Sequence, residues 1–286
     1  MSIRPRLVSA LALTAGLVAT ALTGASSATA STTWAPAATA KIHPGVMMYT
    51  DGAQCTANFV FTDGAGTVYV GYAAHCAGTG AATDTNGCDA ASLPLGTKVD
   101  FVEGGNVLTG GTKVGSGTLA YSSWLNMQSR NETDENTCAY NDLALVKVDA
   151  GSVSQVNPSI PFWGGPKGLN TTGTAAGDTV YSFGNSSLRA GVTELSPKQG
   201  ISLGTEGGGW SHPVYTLSPG IPGDSGSAFL DASGHALGVL STLALAPLAG
   251  SNGVGDVAHE LAYAQAHSGI SGLKLVDGTE PFSPVL

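Results

Sequence analysis

The run Pro222-Gly223-Asp224-Ser225-Gly226-Ser227 offers a nucleophile. A serine hydroxyl attacks a carbonyl only from an exposed, tight turn, with backbone N–H groups facing the oxyanion that forms. Gly223 and Gly226 permit such a turn and let another backbone approach. The N–H groups of Gly223 and Ser225 are the natural oxyanion donors. Such a serine needs a base, and Ala73-Ala74-His75-Cys76 supplies an imidazole, the side chain suited to take a proton near neutral pH. The imidazole needs an acceptor on its other nitrogen. Asp142, opening the run Asp142-Leu143-Ala144-Leu145-Val146, could accept the His75 Nδ1–H and fix the tautomer. Alone, each run has an ordinary reading: a turn, a surface or core histidine, an aspartate before a strand. Together, in the order His75, Asp142, Ser225, they point to acyl-transfer chemistry.

Short strands must position these groups. Phe59-Val60-Phe61 and Thr67–Tyr72 flank a glycine-rich turn and read as a hairpin that runs into His75. Lys98–Val102 alternates as a half-buried strand does, and Leu143–Val148 is a strand that starts at Asp142. Thr179–Phe183 is another. Ala228–Leu230 and Ala236–Leu240 form a hairpin directly after Ser225. A Pro/Gly-rich stretch, Asn157–Gly168, reads as a linker between two halves. Val257–His267 is the one good helix candidate, with Asp256 as its N-cap. With 41 glycines, 42% hydrophobic and only 11% charged residues among 286, the chain fits many short strands joined by tight turns, not disorder.

The first 30 residues read as a signal peptide. Arg4 and Arg6 precede an apolar stretch from Leu7 to about Leu22, and Ala28-Thr29-Ala30 is a cleavage-site pattern. Residues 31–41 read as a linker or short pro-segment. The exported part is therefore expected to be secreted, with no membrane association once the signal is removed. The chain carries 20 acidic against 11 basic residues, and the leader holds two of the basic ones, so the exported part is distinctly acidic. That argues against nucleic acid as a partner. Cys55, Cys76, Cys88 and Cys138 read as two disulfides, with three connectivities possible. No C-x-x-C pair or H-E-x-x-H motif is present, so no metal and no cofactor is expected. A Cys55–Cys76 bridge would staple the His75 loop to the preceding hairpin.

The three runs resemble the chymotrypsin-like (trypsin-like) serine protease family, its bacterial secreted branch in particular. AAHC looks like the family's histidine motif, DLALVKV like its aspartate strand and GDSGSA like its serine motif, over roughly residues 42–270. The resemblance implies an all-β fold of two antiparallel six-stranded β-barrels, residues 42–160 and 161–286, with a C-terminal helix. It implies a serine endopeptidase acting as a monomer on protein or peptide substrates through His75, Asp142 and Ser225. A catalytically silent protease-like binding protein is the alternative. Cys88–Cys138 would pin the long segment from Asp84. The tail from Ser271 has no place in the resemblance.

The family's specificity pocket would have its base at Pro219 and a wall at Ser241, Thr242 and Leu243. Pro219 is no partner for a cation, which disfavours cleavage after Lys or Arg. Leu243 would narrow the pocket toward small or aliphatic side chains. Asp224 should pair with a buried cation, for which Arg189 is preferred over an amine freed at Lys41-Ile42. His212 reads as a loop histidine in solvent.

Overall fold

The alternating and β-branched runs become strands, numbered here along the chain. Residues 1, 32–81, 85–244 and 250–284 are described in a computed structural model. The expected signal peptide therefore lies outside the described residues, Met1 apart.

The first strands are β1 (Met47–Thr50), β2 (Ala53–Thr56), β3 (Val60–Thr62), β4 (Val68–Ala73), β5 (Lys98–Glu103), β6 (Thr112–Ser122) and β7 (Leu143–Val148). Then follow β8 (Ala176–Phe183), β9 (Pro197–Leu203), β10 (Ser211–Thr216), β11 (Ala228–Asp231), β12 (Ala236–Ala244) and β13 (Ser251–Asp256), and last the short β14 (Lys274–Leu275). β8–β13 close into a six-stranded antiparallel barrel in the order β10-β13-β12-β11-β8-β9. The first seven strands and β14 form a second antiparallel sheet, β14-β3-β4-β7-β6-β5-β1-β2. This is the all-β class that the resemblance implies, in two antiparallel halves. The first half reaches eight strands partly because the tail supplies β14.

β4 is buried along its whole length, which is why it reads as the continuous apolar run VYVGYA. It pairs with β7 so that Ala73 lies opposite Leu143, and this register sets His75 beside Asp142. Phe59, Phe61, Phe101, Leu119 and Leu143 fill the larger core. Val180, Val214, Phe229, Leu237, Leu240 and Val254 fill a smaller one in the barrel.

Three α-helices are present among the described residues. α1 (Ser123–Arg130) and α2 (Glu135–Tyr140) lie in the long segment before Asp142. Asp134 caps α2, its Oδ1 accepting from Thr137 N at 2.8 Å. α3 spans Val257–His267, as the sequence predicts, and Asp256 Oδ1 accepts from His259 N at 2.8 Å. The disulfides are Cys55–Cys76 and Cys88–Cys138. The expected linker is packed: Trp163 is fully buried and its Nε1 donates to Ser182 O at 2.7 Å. The segment before Ile42 docks as well, with Ala35 N donating to Val156 O at 2.9 Å. Beyond β14 the tail returns along the molecule. Thr279 N donates to Ser159 Oγ at 2.8 Å, and Ser283 N donates to Trp163 O at 2.7 Å.

Candidate active site

Asp142 is the hub. It lies where α2 ends and β7 begins, almost wholly buried. Its Oδ2 accepts from His75 Nδ1 at 2.6 Å and from Ser241 Oγ at 2.6 Å. Its Oδ1 accepts from His75 N at 2.8 Å, and its carbonyl accepts from Ala74 N at 2.7 Å. A carboxylate can only accept, so the His75 Nδ1 carries the proton and Nε2 keeps its lone pair. Burial alone would depress the imidazole, but the Asp142 charge and hydrogen bond outweigh it and hold His75 above its ordinary value. The ring remains 25% exposed and its Nε2 makes no hydrogen bond.

Ser225 is joined to this pair by short links on two sides. Its carbonyl accepts from Thr56 N at 2.8 Å, one residue from the Cys55–Cys76 bridge that adjoins His75. Gly226 N donates to Leu240 O at 2.7 Å, and the next residue on that strand is Ser241, which holds Asp142. A side chain at Gly226 would collide with Thr56 O at 2.6 Å and Ala73 N at 2.8 Å, so glycine is required there. The Ser225 hydroxyl makes no hydrogen bond. Apo sites often leave the nucleophile and base apart until substrate binds.

The backbone around Ser225 has a distinctive pattern. Asp224 N donates to Ile221 O, Gly226 N to Leu240 O and Ser227 N to Asp224 O. The N–H groups of Gly223 and Ser225 have no acceptor among the described residues. Gly223 holds a φ of +93°, a left-handed conformation natural to glycine, and its carbonyl is tied down by Thr56 Oγ1 at 2.7 Å and Gln54 Nε2 at 3.0 Å. The loop is thus fixed with those two donors left free, the requirement for an oxyanion hole.

Asp224 lies buried under the loop. Arg189 Nη2 reaches its Oδ2 at 2.6 Å and also donates to Pro219 O at 2.9 Å. The preferred sequence partner is therefore in place. Ile42 is not: its N–H donates to Gln155 O at 3.1 Å, within the first half. Lys198 is a second cation that the sequence did not suggest. It is fully buried, its Nζ 3.1 Å from Asp224 Oδ2 and donating to Ser218 O at 3.1 Å. Burial lowers the Lys198 pKa, against the pull of Asp224. It had no signal, being one lysine in a polar strand.

Glu260, on α3, had one. It falls at a core-facing position with Val257, Leu261 and Ala264, where a carboxyl is out of place. Its Oε1 accepts from Asp142 N at 2.9 Å, and burial pushes the carboxyl well above its usual range. His212 corrects its sequence reading. It is fully buried in β10, its Nε2 2.8 Å from Asp256 Oδ2.

The pocket residues are dispersed in role. Ser241 turns to Asp142, Pro219 gives its carbonyl to Arg189, and Leu243 is 50% exposed. Thr242 gives its carbonyl to Asn252 Nδ2 at 3.2 Å.

No protein-family model matches this chain, and no curated protein matches it. Matches were found among solved structures. Protease A of Thermobifida fusca is 18% identical, covering 83% of this chain and 99% of its own, with a TM-score of 0.48. The Nocardiopsis protease NAPase is also 18% identical, covering 82% and 98%, with a TM-score of 0.47. A glutamic acid specific serine protease is 20% identical, covering 79% and 98%, with a TM-score of 0.45.

Proposed function

We propose that this chain is a secreted serine endopeptidase. The observation that carries the reading is the set of atoms left free on residues that short hydrogen bonds link together. His75 is held by Asp142 with Nε2 unbonded, the Ser225 hydroxyl is unbonded, and the two N–H groups beside it lack acceptors.

In the reaction Ser225 Oγ attacks the carbonyl carbon of a peptide bond while its proton passes to His75 Nε2. The carbonyl oxygen becomes the oxyanion, received by Gly223 N–H and Ser225 N–H. Asp142 steadies the imidazolium through Nδ1. When the C–N bond breaks, His75 returns the proton to the leaving amine and an acyl-enzyme remains. Water, deprotonated by His75, then releases the acid and restores the hydroxyl. The substrate is a protein or peptide, and nothing at Pro219 suits a Lys or Arg side chain. Among the described residues no helix is long and apolar enough to cross a membrane.

The test is covalent labelling by a small alkyl fluorophosphonate, located by peptide mass spectrometry. Label on Ser225, lost in Ser225→Ala and in His75→Ala, is the expected result. A folded protein that neither takes label nor cleaves a peptide library sinks the reading and leaves the silent binding protein.

A further inference from the structure

On the endopeptidase reading, with the specificity pocket expected between Pro219 and Ser241–Leu243, the residue whose carbonyl lies on Ser225 sends its side chain between the two segments that flank the nucleophile. One is the stretch from Gly220 to Gly223, just upstream. The other is β12 from Ser241 to Leu243, held against the serine turn where Gly226 N donates to Leu240 O at 2.7 Å and Leu240 N to Ser227 O at 2.9 Å. A gap between them would be the natural slot for that side chain.

The gap is bridged. Asn252, on β13 and paired in register with Leu243, is buried with its amide between the two segments. Its Oδ1 accepts from Gly220 N at 2.8 Å, and its Nδ2 donates to Gly220 O at 3.3 Å and Thr242 O at 3.2 Å. Swinging the amide aside would break all three bonds and leave the buried N–H and carbonyl of Gly220 without their partner. Gly220 itself is crowded, since a side chain there would meet Leu240 Cδ2 at 2.8 Å and Asn252 Nδ2 at 3.0 Å. Leu243, the residue the sequence suggests as the obstacle, is half exposed instead.

From this we infer that Asn252 is a specificity-determining residue: its amide closes the slot beside Ser225, so the enzyme takes peptides that place glycine, alanine or serine at the scissile carbonyl. The inference rests on the endopeptidase reading. It adds the substrate class and the residue that sets it.

The test uses peptide anilides that differ only in the residue giving the carbonyl: Gly, Ala, Ser, Leu, Phe, Glu and Lys. The wild-type protein should hydrolyse the alanine substrate with kcat/KM at least tenfold above leucine and phenylalanine. In Asn252→Gly the phenylalanine-to-alanine ratio, both measured on one preparation, should rise at least tenfold. Asn252→Ala, which keeps a β-strand residue, gives the same comparison should the glycine variant not fold. A wild-type preference for large side chains, or a ratio unmoved in either folded variant, overturns the assignment. Fluorophosphonate labelling separates the two levels: labelled Ser225 with the wrong side-chain profile refutes Asn252 alone, whereas no labelling refutes the endopeptidase itself.

Discussion

Two of the histidine–aspartate pairs among the described residues, His75–Asp142 and His212–Asp256, differ in what the second imidazole nitrogen does. His75 and Asp142 lie 2.6 Å apart, His212 and Asp256 2.8 Å apart. By distance they are near equals. His212 spends both nitrogens on the fold: Nε2 faces Asp256, while Nδ1 lies 3.1 Å from Thr205 Oγ1 and 3.3 Å from Thr174 Oγ1. No part of its side chain meets solvent. His75 keeps one nitrogen free of any hydrogen bond. Asp256 is also shared differently, serving as N-cap of α3 through its other oxygen. A short histidine–aspartate bond is thus a structural device when both ends of the ring are used, and leaves a nitrogen available for proton transfer when one end is open.

The sharpest way to break this comparison is to remove each imidazole in turn. His75→Ala should lower kcat/KM by on the order of 10³-fold or more with little change in stability. His212→Ala should do the opposite. It leaves Asp256 buried without that partner, at a cost of about 2–4 kcal/mol in urea unfolding, with the labelling rate of Ser225 changed by less than about tenfold. A folded His212→Ala protein that no longer reacts with the probe would erase the distinction.

The pH dependence is the next measure. Only neutral His75 can take the serine proton, so kcat/KM rises with pH as the ring deprotonates. Asp142 holds the ring above its ordinary value, so the acid limb should have its midpoint above about 6.5. In Asp142→Asn the charge that raises it is gone while burial remains, and the midpoint should move down. A midpoint that stays put in that variant would mean that Asp142 does not set the His75 pKa.

The smallest expected effect concerns Glu260 behind Asp142. Its folded pKa is raised well above the usual carboxylate value. The unfolded chain therefore loses this proton first, and stability falls as pH climbs above the ordinary carboxylate range toward the folded pKa. Glu260→Gln keeps an acceptor for Asp142 N and removes the titration. It should raise the melting temperature by a few degrees at pH 7 to 8, with the gain fading near pH 4, as read by calorimetry. A variant less stable at every pH would show that the carboxyl is needed for itself.

How far the sequence reveals this arrangement depends on how local each signal is. Strands such as Leu143–Val148 and the helix Val257–His267 are written in nearest-neighbour pattern, and their bounds are recovered to the residue. The motifs around His75, Asp142 and Ser225 are equally local. Asn252 and Lys198 are not. Each matters because of a group that only the closed barrel brings near, Thr242 across a strand pair or Asp224 beneath a loop. Glu260 stands between these cases: a carboxyl on the apolar face of a helix is a local anomaly, although its partner is remote. The helices α1 and α2 went unforeseen because their apolar faces are short and the Cys88–Cys138 bridge holds the segment in place of a longer pattern.

The tail carries a consequence for how the molecule comes to exist. β14 pairs with β3, Lys274 opposite Thr62, although the whole barrel β8–β13 lies between them in the chain. Further on, a side chain at Gly234 would strike Phe282, so the same strap also presses on the barrel. The sheet whose strands leave the ribosome early therefore keeps an open edge until residues that follow the second half have been made. Its last seam is closed by Lys274 and Leu275, after the strands β8–β13 have been made. The order of synthesis thereby leaves the β3 edge unpaired until residues 274–275 have been made.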